Sequence, residues 1–162
     1  MKQNFGILPD GTQASLYTIT GGGLTATVTD YGAHLVSLLV PDRNGNISDV
    51  VLGYDDANGY RTGNGAYLGA IVGRNANRVK GSSFMLGDTK VRMTPNEGEN
   101  NLHSGPNGFH LRLWNVYQVR KNAITLHLVS PQGDQGFPGN AQVSVRYALE
   151  PGGVLSLTYD AV

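Results

Sequence analysis

Leu16-Tyr17-Thr18-Ile19-Thr20, then Gly21-Gly22-Gly23, then Leu24-Thr25-Ala26-Thr27-Val28-Thr29 reads as two strands around a turn. Apolar and hydroxyl side chains alternate with period two, which gives a strand one buried and one wetter face. Glycine reaches the positive φ that a tight hairpin needs. Working outward, His34 to Val40 is a strand apolar on both faces, closed by Pro41-Asp42-Arg43-Asn44-Gly45. That closing run is a turn, because Pro fixes φ and Asn-Gly supplies positive φ. Asp49 to Gly53 reads as a short buried strand, Asp55 to Ala66 as a polar loop, and Leu68 to Val72 as a small apolar strand. Ser83 to Leu86 and Lys90 to Met93 form a second hairpin around Gly87-Asp88. Residues 94–112 carry almost no periodicity, and long irregular stretches are usually functional or disordered. Trp114 to Val119, Ala123 to Val129, Gln142 to Leu149 and Val154 to Tyr159 return to strand. The expectation is one all-β domain over residues 1–162, an antiparallel β-sandwich with little helix.

Composition agrees with that class and removes several functions. The 162 residues include 23 glycines and seven prolines, with only 15% charged side chains, which suits many turns and not long helices. Twelve basic residues balance twelve acidic ones, so no electrostatic footprint for nucleic acid or an anionic membrane is expected. No stretch approaches the roughly 20 apolar residues of a membrane span. With no cysteine, disulfides, zinc–thiolate sites and thiol nucleophiles are excluded. Met1-Lys2-Gln3-Asn4-Phe5-Gly6 lacks the apolar run of a secretory signal, so the expected location is cytoplasmic. The last strand, ending Tyr159-Asp160-Ala161-Val162, has no closing polar tail, and an apolar edge invites another strand beside it. Pairing with further chain, or self-association there, is therefore expected.

Two polar clusters could carry chemistry. Gly73-Arg74-Asn75-Ala76-Asn77-Arg78 offers rigid donors suited to hydroxyls or anions, although two surface arginines would look the same. No Gly-Lys-Ser/Thr follows, so it is not a phosphate loop. Asn96-Glu97-Gly98-Glu99-Asn100-Asn101-Leu102-His103-Ser104-Gly105 places His103 in a polar loop, where it is either a proton-transfer group or a solvated side chain. His127 alternates with Leu126 and Leu128 and should face solvent, His34 opens a buried strand, and His110 has mixed neighbours. A metal held by His103 and His110 lacks any HExxH spacing. Ser104 lacks a nucleophile elbow, and Glu97 with Glu99 reads as a solvated pair. Trp114 and Tyr117 are either packing residues or a platform for a sugar ring.

Taken in order, these clusters resemble the aldose 1-epimerase (galactose mutarotase) family, its N-terminal half, over almost the whole chain. Gly-Arg-x-Ala-Asn-Arg stands at Gly73 to Arg78. Asn96 leads to Asn101-Leu102-His103-x-Gly105, followed by Gly108-Phe109 and Trp114. Ser130-Pro131-x-Gly133-Asp134-x-Gly136-Phe137-Pro138-Gly139 completes the series. Each piece alone is weak, and the order and spacing make them specific. Ser104 replaces a commoner glycine and Phe137 a commoner tyrosine.

The resemblance implies part of a galactose-mutarotase-like supersandwich that interconverts the α and β anomers of free hexoses such as galactose or glucose. A base deprotonates the C1 hydroxyl, an acid protonates the ring oxygen, and the opened chain recloses on the other face, with no metal or cofactor. It further implies that Asn77 and Arg78 bind sugar hydroxyls and that His103 lies near the ring oxygen. The glutamate base and main histidine acid would lie beyond Val162, leaving the chain alone inactive. The competing readings are a carbohydrate-binding or structural sandwich without catalysis, and an epimerase of hexose phosphates whose arginines hold the phosphate.

Overall fold

A computed structural model describes residues 1–63 and 66–162. The first hairpin is β2 (Gln13–Gly21) against β3 (Leu24–Thr29), with Ile19 opposite Ala26 and Tyr17 opposite Val28. Gly22 and Gly23 make the turn at φ 58° and 82°, conformations that β-branched residues would resist. With β1 (Lys2–Ile7), β4 (Leu35–Pro41) and β5 (Ile47–Asp49) they form a five-stranded sheet in sequence order. A helix, α1 (Ala57–Thr62), and two short pairs follow: β6 (Arg78–Val79) with β9 (Asn101–Leu102), and β7 (Ser83–Leu86) with β8 (Thr89–Arg92). The chain closes with a four-stranded meander, β10 (Asn115–Arg120), β11 (Ala123–Ser130), β12 (Ala141–Glu150) and β13 (Val154–Ala161). Every strand pair is antiparallel.

The two large sheets bury one face each against the other. Tyr17, Ile19, Ala26 and Val28 meet Ile124 and Leu126 of β11 and Val145, Tyr147 and Leu149 of β12. Each fully buried large aliphatic contributes about 1.5–3 kcal/mol, so this layer outweighs any single polar contact. Alternation sends the other face of β2, Ala14 and Leu16, into a second cluster with Phe5, Tyr31 and the α1 residues Ala57 and Tyr60. A buried polar tie crosses the sandwich: the Tyr147 hydroxyl donates to the Ala33 carbonyl at 2.7 Å. Removing it leaves that carbonyl unpaired. Tyr147→Phe is expected to cost about 1–2 kcal/mol. Urea unfolding checks this, and a loss below about 0.5 kcal/mol would mean that water replaces the bond without penalty.

Three sequence expectations need correction. Asp49 to Gly53 is not a buried strand: β5 is an exposed edge strand paired only with β4, and Val50 and Leu52 are 62% and 77% exposed. The polar stretch from Asp55 contains α1, because Asp56 caps it by accepting the Gly59 N–H at 2.7 Å, while Asn64 and Gly65 lie outside the described residues. Leu68 to Val72 is not a strand either. Tyr67 and Gly69 take φ of 49° and 58°, which breaks extended geometry, and the Leu35 N–H bonds to the Gly69 carbonyl at 2.9 Å instead. No helix among the described residues is long and apolar enough to cross a membrane.

Candidate functional site

The irregular stretches 66–78 and 94–112 meet beside the sandwich, and the short β6–β9 pair joins them. Arg78 lies opposite Leu102 in that pair, which sets Asn77 next to His103. The contact is reciprocal. The Asn77 N–H donates to His103 Nδ1 at 3.0 Å, and the His103 N–H donates to the Asn77 carbonyl at 3.2 Å. A backbone donor at Nδ1 makes that nitrogen the acceptor, so the neutral ring carries its proton on Nε2. Desolvation, with the Arg78 charge beside it, lowers the His103 pKa from its ordinary value, and Glu97 opposes that shift. At neutral pH the ring is therefore an uncharged Nε2–H donor.

Strain concentrates here. Seven non-glycine residues among those described have positive φ, and four of them are Tyr67, Asn77, His103 and Ser104. Such residues cost about 1–3 kcal/mol each and persist only where their surroundings fix them. Ser104 shows how: fully buried, its hydroxyl accepts the Asn75 N–H at 2.8 Å and donates to Asn75 Oδ1 at 2.7 Å. Asn96 does the same for Leu102, accepting its N–H at 2.7 Å and donating to its carbonyl at 3.0 Å.

Arg78 is held by its neighbour Glu97. Nε and Nη2 reach the two carboxylate oxygens at 2.5 and 2.6 Å, a bidentate pair on an exposed rim. The hydrogen bonds from Arg78 lower the Glu97 pKa, so the carboxylate stays ionised. Behind the pair lies an open cavity of about 450 Å³. Tyr67, Asn96, Glu97 and His110 form its polar lining, and Leu102, Pro106 and Leu111 its apolar one. That volume lies in the range of small-molecule sites. Asn77, Arg78 and His103 are brought together but stand at the edge of this cavity, not in its lining. Tyr67 bridges the two regions, its ring 4.5 Å from His103 and 4.8 Å from His110.

Sequence reasoning did not single out Tyr67, and it read Glu97 as solvated and His110 as a histidine with mixed neighbours. His110 is almost fully buried, its Nδ1 has no partner among the described residues, and desolvation followed by the charges of His34 and His103 pulls its pKa down to about 4. Gly105 and Gly108 precede it closely, the one signal in the sequence that backbone packs tightly here. His34 is buried too, its ring nitrogens 2.8 and 3.0 Å from the carbonyls of Leu68 and His110. His127 lies on the outer face of β11, half-buried, beside Ser144. No group of three or more metal-ligating side chains occurs among the described residues.

A brace holds the site to the sandwich. Arg74 donates to Ser130 Oγ and to the carbonyls of Ser130, Pro131, Pro138 and Gly139 at 2.7–3.0 Å. Arg112 pairs with both Asp134 oxygens at 2.6 Å and also donates to the Asn107 carbonyl, while Ser130 donates to Asp134. Burial alone would raise the Asp134 carboxyl, but hydrogen bonds from Arg112 and Ser130 and the Arg112 charge outweigh it and hold it at about 2. Phe137 packs against Phe84 and under the Arg74 guanidinium.

The residues braced in this way fall within a region shared with known proteins. The family model for aldose 1-epimerase matches residues 15–162. The chain is 36% identical over 156 residues to the aldose 1-epimerase of Escherichia coli K12, covering 96% of this chain and 45% of that protein. It is 38% identical over 158 residues to the galactose mutarotase of Bos taurus, covering 97% and 45%. The chain thus spans about half the length of the curated relatives it matches. Among solved structures, the GalM/aldose epimerase homologue from C. elegans superposes with a TM-score of 0.86 at 35% identity, over 92% of this chain and 46% of that one. Galactose 1-epimerase from Lactobacillus acidophilus gives 0.83 at 25% identity, over 100% and 48%. Order of motifs, sheet topology and overall sequence agree, and the chain belongs to the aldose 1-epimerase family.

Proposed function

We propose that this chain is the sugar-binding half of an aldose 1-epimerase, and that the completed protein interconverts the α and β anomers of free hexoses such as galactose or glucose. The observation that carries this reading is the Asn77 N–H donated to His103 Nδ1, which reserves the Nε2 proton of His103 for a ligand acceptor. In the proposed reaction His103 hydrogen-bonds the ring oxygen and stabilises the charge that grows there as the C1–O bond breaks. Asn77 and Arg78 bind hydroxyls and fix the ring's position. A glutamate base and a second histidine acid come from a C-terminal half, which docks along β13, whose outer edge has no strand partner among the described residues. Tyr159 and Leu157 on β13 are 59% and 40% exposed, the apolar surface that such a half, or a second copy of the chain, would cover.

The test is polarimetry of fresh α-D-galactose with the chain joined to, or co-expressed with, a C-terminal half. Mutarotation well above buffer is expected, with His103→Ala lowering kcat about 10²–10⁴-fold. An unchanged kcat in that variant would remove His103 from the reaction.

A further inference from the structure

Glu97 is the carboxylate nearest the residues matched to sugar binding, and it changes what Arg78 offers. A free guanidinium on an open rim would attract phosphate as readily as a hydroxyl, because its planar fork fits either. Here Nε and Nη2 are both spent on Glu97, at 2.5 and 2.6 Å, so the pair is electrically neutral toward an incoming ligand. Nothing else in the cavity lining restores positive charge: its other polar members are Tyr67, Asn96 and His110, all uncharged at neutral pH. Arg74 and Arg112 are turned to backbone carbonyls and to Asp134.

We propose that Glu97 is a specificity-determining residue, which by neutralising Arg78 makes the site accept uncharged polyhydroxy ligands and reject phosphorylated ones. A phosphorylated sugar would have to displace a carboxylate already bound in the same bidentate geometry, or sit beside it against like-charge repulsion. Contact between a dianion and one carboxylate in a water-like dielectric discriminates by roughly ten-fold at low salt, less as salt screens it. This rests on the proposed sugar site, and the experiment separates the two.

The 162-residue chain is labelled with ¹⁵N in its histidines, and ring-nitrogen shifts of His103 are followed during titration with D-glucose and with D-glucose 6-phosphate. The wild type is expected to show a saturable His103 shift with D-glucose and about ten-fold weaker response to the phosphate ester. Glu97→Gln should narrow that gap by roughly ten-fold, read as the ratio of the two sugars' affinities within the same variant, and Glu99→Gln, an exposed carboxylate on the same loop, should leave the ratio unchanged. A gap unaltered in Glu97→Gln overturns the proposal with the sugar site intact. So does the same narrowing in Glu99→Gln, which would show general charge and not the pair. No saturable response to either sugar overturns the sugar site itself, and the proposal with it.

Discussion

Fresh α-D-glucose mixed with the 162-residue chain alone is expected to mutarotate at the buffer rate. Anomer exchange needs an acid and a base on opposite sides of the ring, and two of the carboxylates around this site are otherwise engaged, while Glu99 is exposed on its loop. Glu97 is bonded to Arg78, and Asp134 to Arg112 and Ser130 at a pKa of about 2, too weak a base to abstract a hydroxyl proton efficiently near neutrality. Each positioned acid or base contributes typically 10²–10⁴-fold, so a site with His103 and no base forfeits most of its rate. Polarimetry of the chain against buffer measures this directly. A rate clearly above buffer that His103→Ala abolishes would place a base within these residues.

Arg112→Ala is expected to be the most damaging single change in the brace, costing about 3 kcal/mol, because it strands the Asp134 carboxylate with side-chain exposure of only 10%. In a domain of this size that lowers the melting temperature by about 6–12 °C. The pH dependence carries a separate signature. The folded Asp134 pKa of about 2 lies below the ordinary 3.8, so its stabilisation is complete above pH 3.8 and is lost as pH falls through 2. That limb is worth about 2 kcal/mol and should flatten in Arg112→Ala. Urea unfolding at pH 7, 4 and 2.5 decides it. Equal acid sensitivity in wild type and variant would show that Arg112 does not hold the carboxyl down.

The strands were readable because alternation is local: Leu16 to Val28 and Ala123 to Leu149 announce their buried faces residue by residue. The failures share a cause. Tyr67 to Val72 is apolar enough for a strand, but left-handed backbone at Tyr67 and Gly69 is paid back by contacts with Leu35 and His34, distant in sequence. The same holds at the site. Asn77, Arg78 and His103 stood out through their ordered motifs, whereas Glu97 looked solvated because its partner is 19 residues away, and His110 looked ordinary because its burial comes from tertiary packing. Ser104, standing where glycine is commoner, owes its role to a partner 29 residues away, since its hydroxyl bonds Asn75.

The Arg74 brace has a kinetic side. Its five hydrogen bonds close sequence separations of 56 to 65 residues, and the His34–His110 contact closes 76. Hairpins such as β2–β3 and β11–β12 assemble in about 1–10 μs, since their partners are near in sequence. A contact across dozens of residues gains nothing until the intervening chain has surrendered its entropy, which places folds rich in such contacts in the millisecond-to-second range. Arg74 is tied to the connection between β11 and β12, so the loops bearing His103 and Arg78 are expected to settle only once that hairpin has formed. In the native state they are also expected to open before the sandwich does, since the brace is part-buried hydrogen bonding and the sandwich is a fully buried apolar layer. The order in which the molecule builds its site is the reverse of the order in which it loses it.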